Sequence, residues 1–316
     1  MSVTIGIDVG GTKIAAGVVD EAGKVIARRR IATAAMHPTA VVAGIVKVAQ
    51  ELLAAAPGVA AVGIGAAGLI DGEHGIVLSA PNIAWENVPL RAMVSDRIKL
   101  PVVIDNDANV AALGESLYGA GEGYGDQIMV TVGTGVGGGI VIGREIYRGA
   151  RGVGAELGHM IIDASSAATC ACGNTGDLEA LASGNSIGRR ARERVNEAGA
   201  AGVLKRAAGD VSAITGELVG EAAIAGDEWA SAILDETGHW LGVGLANFVN
   251  IFDPEVLIIA GGAATGTGEL LLGPARASMA ERIIGHAWRT PPPVLAAALG
   301  YDAGLVGAAA LARGTK

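Results

Sequence analysis

Two stretches of this chain share one design: an apolar run, a Gly-Thr turn, and a second apolar run. The first is Val3–Val9, Gly10-Gly11-Thr12, then Lys13–Asp20; the second is Gln127–Val132, Gly133-Thr134-Gly135, then Gly139–Ile142. The segment after each turn decides what the turn is. Gly6 and Gly11 have the separation of a P-loop, but Thr12-Lys13 stands where Lys-Ser/Thr should, and Ile14–Val19 reads as a strand where a P-loop opens a helix. Gly133-Thr134-Gly135-Val136-Gly137-Gly138 spells G-x-G-x-x-G, yet Ile140-Val141-Ile142 is strand-like where a dinucleotide fold needs a helix. Both helix-based readings therefore fail, leaving two hairpins. Glycine permits positive φ and close backbone approach to a ligand, and successive N–H groups in such turns form anion-binding nests. Thr12 and Thr134 add hydroxyl donors, and Asp8 offers a carboxylate for Mg²⁺ through water. One glycine turn alone says little, since glycine is the default turn residue. Two in matching positions, each opening a unit of strands and helices, predict a duplicated α/β fold.

The rest of the chain fits that frame. Lys24–Ile31 completes a meander, Pro38–Ala56 has helical spacing, and Val59–Gly65 is an apolar run. Pro89–Ile98 reads as a helix, Val102–Ile104 as a short strand, and Ala108–Leu117 as a helix capped by the Asp-rich segment before it. A cysteine-bearing irregular segment runs from Ser165 to Asp177, and Glu179–Val249 is mainly helical. Val256–Ala260 is a strand ending in Gly261-Gly262, followed by a helix, a short strand near Val294–Ala297 and a final helix from Ala303. The expected domains are 1–118, joined by the C-terminal helix 303–316, and 119–302, carrying the insertion 165–179.

Composition narrows the partners. With 51% hydrophobic and 17% charged residues the chain is not disordered, and its 50 glycines have no three-residue period, which excludes collagen. A net charge of −9 disfavours nucleic acid, so an anionic substrate must be met by local backbone dipoles. The two cysteines, Cys170 and Cys172, are too close for an easy disulfide. The start of the chain lacks the basic and apolar regions of a signal peptide. Its most apolar stretch, Trp240–Phe252, is shorter than the ~20 residues that span a bilayer. A cytoplasmic protein without a membrane partner is expected.

Asn106-Asp107 follows an apolar strand and precedes a helix, a placement that serves helix capping as readily as chemistry. His159 lies upstream of Cys170 and Cys172, with Asp177 downstream.

Ile5–Asp20, Asp105–Glu115, Thr131–Gly139 and Phe252–Gly262, in that order, resemble the nucleotide-binding and catalytic segments of the actin-like ATPase and sugar kinase superfamily. More narrowly they resemble the ROK family of sugar kinases and repressors, on its actinobacterial-type glucokinase side. The resemblance implies a duplicated actin-like ATPase/ribonuclease H-like fold, two domains with a central cleft. It implies ATP-dependent phosphorylation of the glucose 6-hydroxyl with Mg²⁺ as part of glycolysis, in a homodimer or homotetramer. By the same resemblance Asp107 is the general base. Asn82, in Pro81-Asn82-Ile83-Ala84-Trp85, joins Asn106, Glu156, His159 and Glu179 in holding the sugar, Glu156-Leu157-Gly158-His159 matching the family's E-x-G-H. Gly10, Gly11, Thr12, Lys13, Gly133, Thr134 and Gly135 meet the phosphates, and Gly261-Gly262 the adenosine. A helix N-terminus stabilises a carboxylate, so Asp107 is expected to have lowered basicity, which a loose phosphoryl-transfer transition state tolerates.

The cysteine segment departs from the family pattern C-x-C-G-x-x-G-C-x-E, because Asp177 replaces the last cysteine. Two outcomes are open: a zinc held by His159, Cys170, Cys172 and Asp177, since carboxylate oxygen is a legitimate zinc ligand, or a lost site with two thiols. If zinc is held, Asp177→Cys is expected to tighten it and keep activity. Rival readings are a kinase for mannose, fructose or N-acetylmannosamine, and a polyphosphate glucokinase, against which the ordinary Gly10-Gly11-Thr12-Lys13 speaks. A ROK regulator is more distant: its winged helix-turn-helix precedes the first strand, here already begun at Val3.

Overall fold

A computed structural model of the chain describes residues 3–35 and 37–314. Met1-Ser2 at the start and Thr315-Lys316 of the expected last helix lie outside them. The elements run β1 (Val3–Val9), β2 (Lys13–Val19), β3 (Val25–Ala32), α1 (Pro38–Ala55), β4 (Val59–Ala66), β5 (Leu69–Asp71), β6 (Ile76–Ala80), β7 (Trp85–Val88), α2 (Leu90–Ile98), β8 (Val102–Asn106) and α3 (Asp107–Tyr118). They continue with β9 (Gln127–Val132), β10 (Val136–Ile142), β11 (Glu145–Ile146), α4 (Leu178–Ala182), α5 (Gly184–Glu193), α6 (Ala201–Arg206), α7 (Gly216–Ile224) and α8 (Glu228–Phe252). β12 (Val256–Ala260), α9 (Gly262–Thr267), α10 (Glu269–Arg282), β13 (Val294–Ala296) and α11 (Ala303–Arg313) complete the chain.

The first sheet has the order β3-β2-β1-β4-β8 and the second β11-β10-β9-β12-β13. Counted within each sheet, both read third, second, first, fourth, fifth, so the two hairpins do open two copies of one topology. In the first sheet β1, β2 and β3 pair antiparallel, while β4 lies parallel to both β1 and β8. A third, antiparallel sheet, β5-β6-β7, has no counterpart among the elements expected from the sequence. Its strands are short and broken by Gly72, Gly75 and Pro81, so no alternation builds up over them.

The chain divides into two compact units: one up to Gln127 with Gly139–Ala155 and everything from Ala297 onward, the other Ile128–Gly138 with Glu156–Ala296. The expected division, 1–118 with 303–316 against 119–302, assigns 119–127, 139–155 and 297–302 differently. Side chains explain the grouping. Gln127 Nε2 donates to Ser116 Oγ and to the carbonyls of Gly121 and Tyr124, tying 119–127 to the end of α3. Arg148 Nε donates to Asp105 at the end of β8.

In the first unit α1 buries Val41, Val42, Ile45, Val48, Ala49 and Leu52 in the core that includes the β1, β2 and β4 side chains. Among the described residues α1, rather than the Trp240–Phe252 stretch, is the one helix long and apolar enough to cross a membrane by length and composition. Its apolar face is accounted for by this packing. α11 packs so closely on β1, β4 and α3 that only glycine fits at the contacts. A Cβ on Gly6 would lie 1.7 Å from the Leu305 carbonyl oxygen, on Gly63 1.8 Å from that of Ala308, and on Gly307 1.6 Å from that of Val110.

Candidate active site

The first Gly-Thr turn is closed by the Gly10 N–H, which donates to Lys13 O at 3.0 Å, and is held from β3's end by Thr33, whose hydroxyl donates to Gly10 O at 2.7 Å. Asp8 ends half-buried beside it, against the start of α11, where a Cβ on Gly304 would be 3.1 Å from Asp8 Cγ. Burial, and after it the charge of Asp107, push the Asp8 carboxyl up to about 6, with Lys13 pulling the other way. The Lys13 ammonium lies 4.8 Å from the centre of the Tyr301 ring. Asn82 is exposed and adjoins the turn: a Cβ on Gly11 would be 3.6 Å from Asn82 Cβ.

At the start of α3 the cap is Asn106, not an aspartate. Its Oδ1 accepts the N–H groups of Ala108 at 2.8 Å and Asn109 at 3.2 Å, while its Nδ2 donates to Gly68 O at 3.0 Å. Asp107 takes the first helical position, its Oδ1 2.9 Å from the Ala108 nitrogen. The expectation of lowered basicity is overturned. Burial raises the Asp107 pKa above the ordinary aspartate value, against the lowering by backbone N–H groups of Ala108 and Asp107. Desolvation disfavours the charged form and here outweighs the local helix contribution. A carboxyl raised in this way is a better proton acceptor.

Sequence reasoning missed Asp105 as a separate element of the site. It is 2% exposed and accepts from Asn106 N at 2.8 Å, Asn109 Nδ2 at 2.9 Å and Arg148 Nε at 2.6 Å. The signal was present: an acid directly after Val102-Val103-Ile104 is a buried charge, and buried charges need partners.

In the second unit Gly133 N donates to Gly135 O at 2.9 Å, and the first amides of α5, Gly184 and Asn185, donate to the carbonyls of Gly133 and Thr134 at 2.8 and 3.2 Å. Gly261 has φ +93°, and a Cβ there would fall 2.4 Å from Val132 O. The turn before α9 thus abuts the strand that feeds Gly133-Thr134-Gly135, so all five expected nucleotide residues of this unit lie together. Glu179, in α4, accepts the Val136 N–H through Oε2 at 2.9 Å, which ties it to the same loop. Glu156 is exposed and opens the turn Leu157–His159; Gly158 lies against β10, where a Cβ would be 1.9 Å from Val136 O.

His159, Cys170, Cys172 and Asp177 converge, their ligand atoms all within 4.8 Å of one another. Asp177 is fully buried; its Oδ2 lies 3.3 Å from His159 Nδ1 and 3.6 Å from Cys172 Sγ. Cys170 Sγ is 3.7 Å from His159 Nδ1 and 2.6 Å from Cys172 Sγ. Burial, then the Asp177 and Cys172 side chains, push the Cys170 thiol up to about 12. Two sulfurs, one imidazole and one carboxylate fit four-coordinate zinc. Asp177 also serves as the N-cap of α4, the helix that carries Glu179, its Oδ1 accepting the Ala180 N–H at 2.8 Å.

Two hairpin-centred copies of one sheet order, each with a glycine-rich turn beside a carboxylate side chain, define a member of the actin-like ATPase/ribonuclease H-like fold. The ROK family model matches residues 4–315. A glucokinase of Streptomyces coelicolor is 42% identical over 317 residues, covering 99% of this chain and 98% of that protein. The solved structure of a ROK family glucokinase from Streptomyces griseus, in complex with glucose and AMPPNP, matches with a TM-score of 0.85 at 45% identity over 99% of both chains. A ROK hexokinase from Thermus thermophilus matches at 0.82, with 33% identity over 98% of both. The chain belongs to the ROK family.

Proposed function

We propose that the protein transfers the γ-phosphoryl group of ATP to the 6-hydroxyl of glucose. The observation that carries this reading is Asp107: a carboxyl raised by burial at a helix start, in a chain related along its whole length to glucokinases. Asp107 accepts the proton of the 6-hydroxyl as that oxygen attacks the γ-phosphorus in line; ADP leaves. The amides of Gly10–Lys13 and Gly133–Gly135 receive the phosphates, and Gly261-Gly262 receives the adenosine. Asn82, Asn106, Glu156, His159 and Glu179 hold the sugar hydroxyls. Glu179 does so with one oxygen committed to Val136, which ties sugar binding to the phosphate loop. Mg²⁺ accompanying ATP would be held through water by Asp8 and would neutralise phosphate charge. His159, Cys170, Cys172 and Asp177 would hold a structural zinc, which would fix the His159 ring. The protein acts in the cytoplasm, in glycolysis, as a homo-oligomer. A coupled assay across glucose, mannose, fructose and N-acetylmannosamine, each with ATP and with polyphosphate, tests the assignment. Glucose with ATP is expected to lead in kcat/KM by at least about tenfold, the discrimination available to a site built to pair a substrate's hydroxyls. Preference for another pair overturns the reading.

The acid side of activity follows from Asp8 and Asp107, both needed ionised and both raised. As pH falls toward 6 and below, kcat/KM for the hexose should drop; a profile flat down to pH 5 contradicts this. Stability has the opposite sign. Between 3.8 and about 6 the folded state holds a proton on Asp8 that the unfolded chain releases, so stability falls as pH rises through that window. Asp8→Asn removes this contribution, so its stability relative to wild type should improve by up to about 3 kcal/mol between pH 4 and pH 7, read by urea titration.

The double use of Asp177 changes the expectation for Asp177→Cys. A cysteine keeps a metal ligand but loses the α4 cap, worth ~1 kcal/mol. Elemental analysis should give about one zinc per chain in both proteins, with a lower melting temperature for the variant. Zinc far below one per chain in a fully active wild-type preparation would mean that His159 is oriented without metal.

A further inference from the structure

We propose that Asp105 and Arg148 are a positioning pair that sets the orientation of Asp107; the inference rests on the kinase reading above. A carboxylate that is 2% exposed is strongly unfavourable unless paired and hydrogen-bonded, and the neighbours Val102, Val103 and Ile104 show what the strand otherwise uses. The pattern of its bonds says what the charge is for. One oxygen, Oδ1, accepts from both Asn106 N and Asn109 Nδ2. These two residues flank Asp107, and they are also joined to each other, because Asn106 Oδ1 accepts the Asn109 N–H. The backbone of Asp107 is thus held between two residues pinned to a single buried oxygen. The other oxygen, Oδ2, takes Arg148 Nε at 2.6 Å, and Arg148 Nη1 reaches Ile146 O at 3.4 Å. Arg148 anchors the carboxylate from the far side and supplies its countercharge. Neither residue donates to or accepts from the Asp107 side chain, so the pair acts through the first turn of α3.

Misplacement of a catalytic group by about 1 Å costs on the order of 10²-fold in rate. Arg148→Ala should therefore lower kcat by about 10- to 100-fold while KM for ATP stays within about twofold. Arg148→Lys, which keeps the charge without the fixed planar fork, should recover part of that loss. Asp105→Asn, which sets an amide N–H against Arg148 Nε, should resemble Arg148→Ala. Melting temperature and glucose affinity, the latter by tryptophan fluorescence, are measured alongside. A kcat within about twofold of wild type in Arg148→Ala and Arg148→Lys, with only the melting temperature lowered, overturns the proposal and leaves a purely structural pair. If Arg148→Ala does not fold, Arg148→Lys decides on the same criterion. The wild-type assay with glucose and ATP separates the two claims: if it fails, the kinase reading falls, and the pair is tested with whichever acceptor the wild type phosphorylates.

Discussion

Asp107→Asn is expected to lower kcat by ~10²–10⁴, the range for loss of a general base, with glucose affinity changed little. The amide keeps the shape and the Oδ1 acceptor for Ala108 N–H, so α3 still starts in place. What it removes is the proton-accepting charge. Burial rather than a local hydrogen bond raises the Asp107 pKa, which suits the proposed base, since it must take a proton readily. The charge of Asp107 also raises Asp8, so the substitution has a second signature: the acid limb of any residual activity should move to lower pH. Residual kcat above about a tenth of wild type would remove Asp107 from the role of base.

Gly6→Ala is expected to cost about 3 kcal/mol or more, at or beyond the upper end for overpacking. Its Cβ would sit 1.7 Å from the Leu305 carbonyl oxygen, which is rigid helix backbone. β1 and α11 would have to separate, and α11 touches β4 and α3 through the same kind of contact at Gly63 and Gly307. Gly307→Ala, 1.6 Å from Val110 O, should behave likewise, and the two should not add because both displace one helix. Gly266→Ala in α9 is the control: nothing lies within 4 Å of its Cβ, so it should be neutral or mildly stabilising. A Gly6→Ala protein that melts with wild type, in urea or on heating, would contradict this packing.

The two Gly-Thr hairpins were legible because strand alternation and turn chemistry are local, and the duplication of the fold followed from their repetition. The convergence of His159, Cys170, Cys172 and Asp177 was legible for a similar reason, all four lying within one short segment. Four things were not. β5, β6 and β7 are too short to register a period. The pairing of Asp105 with Arg148 joins positions 43 apart in sequence, and only the folded chain brings them together. The sign of the Asp107 shift depends on burial by distant segments, whereas the helix terminus that argued for the opposite sign is a neighbour. Asp177 belongs with these: its proposed ligand role was a matter of spacing, but its capping role needed the start of α4 to be known.

The reaction proposed for this chain is formation of glucose 6-phosphate from glucose and ATP. Incubation of the purified protein with ¹³C-labelled glucose, ATP and Mg²⁺, followed by ³¹P and ¹³C NMR, tests it directly. ADP and a hexose phosphate are expected in equal amounts, with carbon–phosphorus coupling at C6. Phosphate at another carbon, or ADP formed without any glucose phosphate, would contradict it.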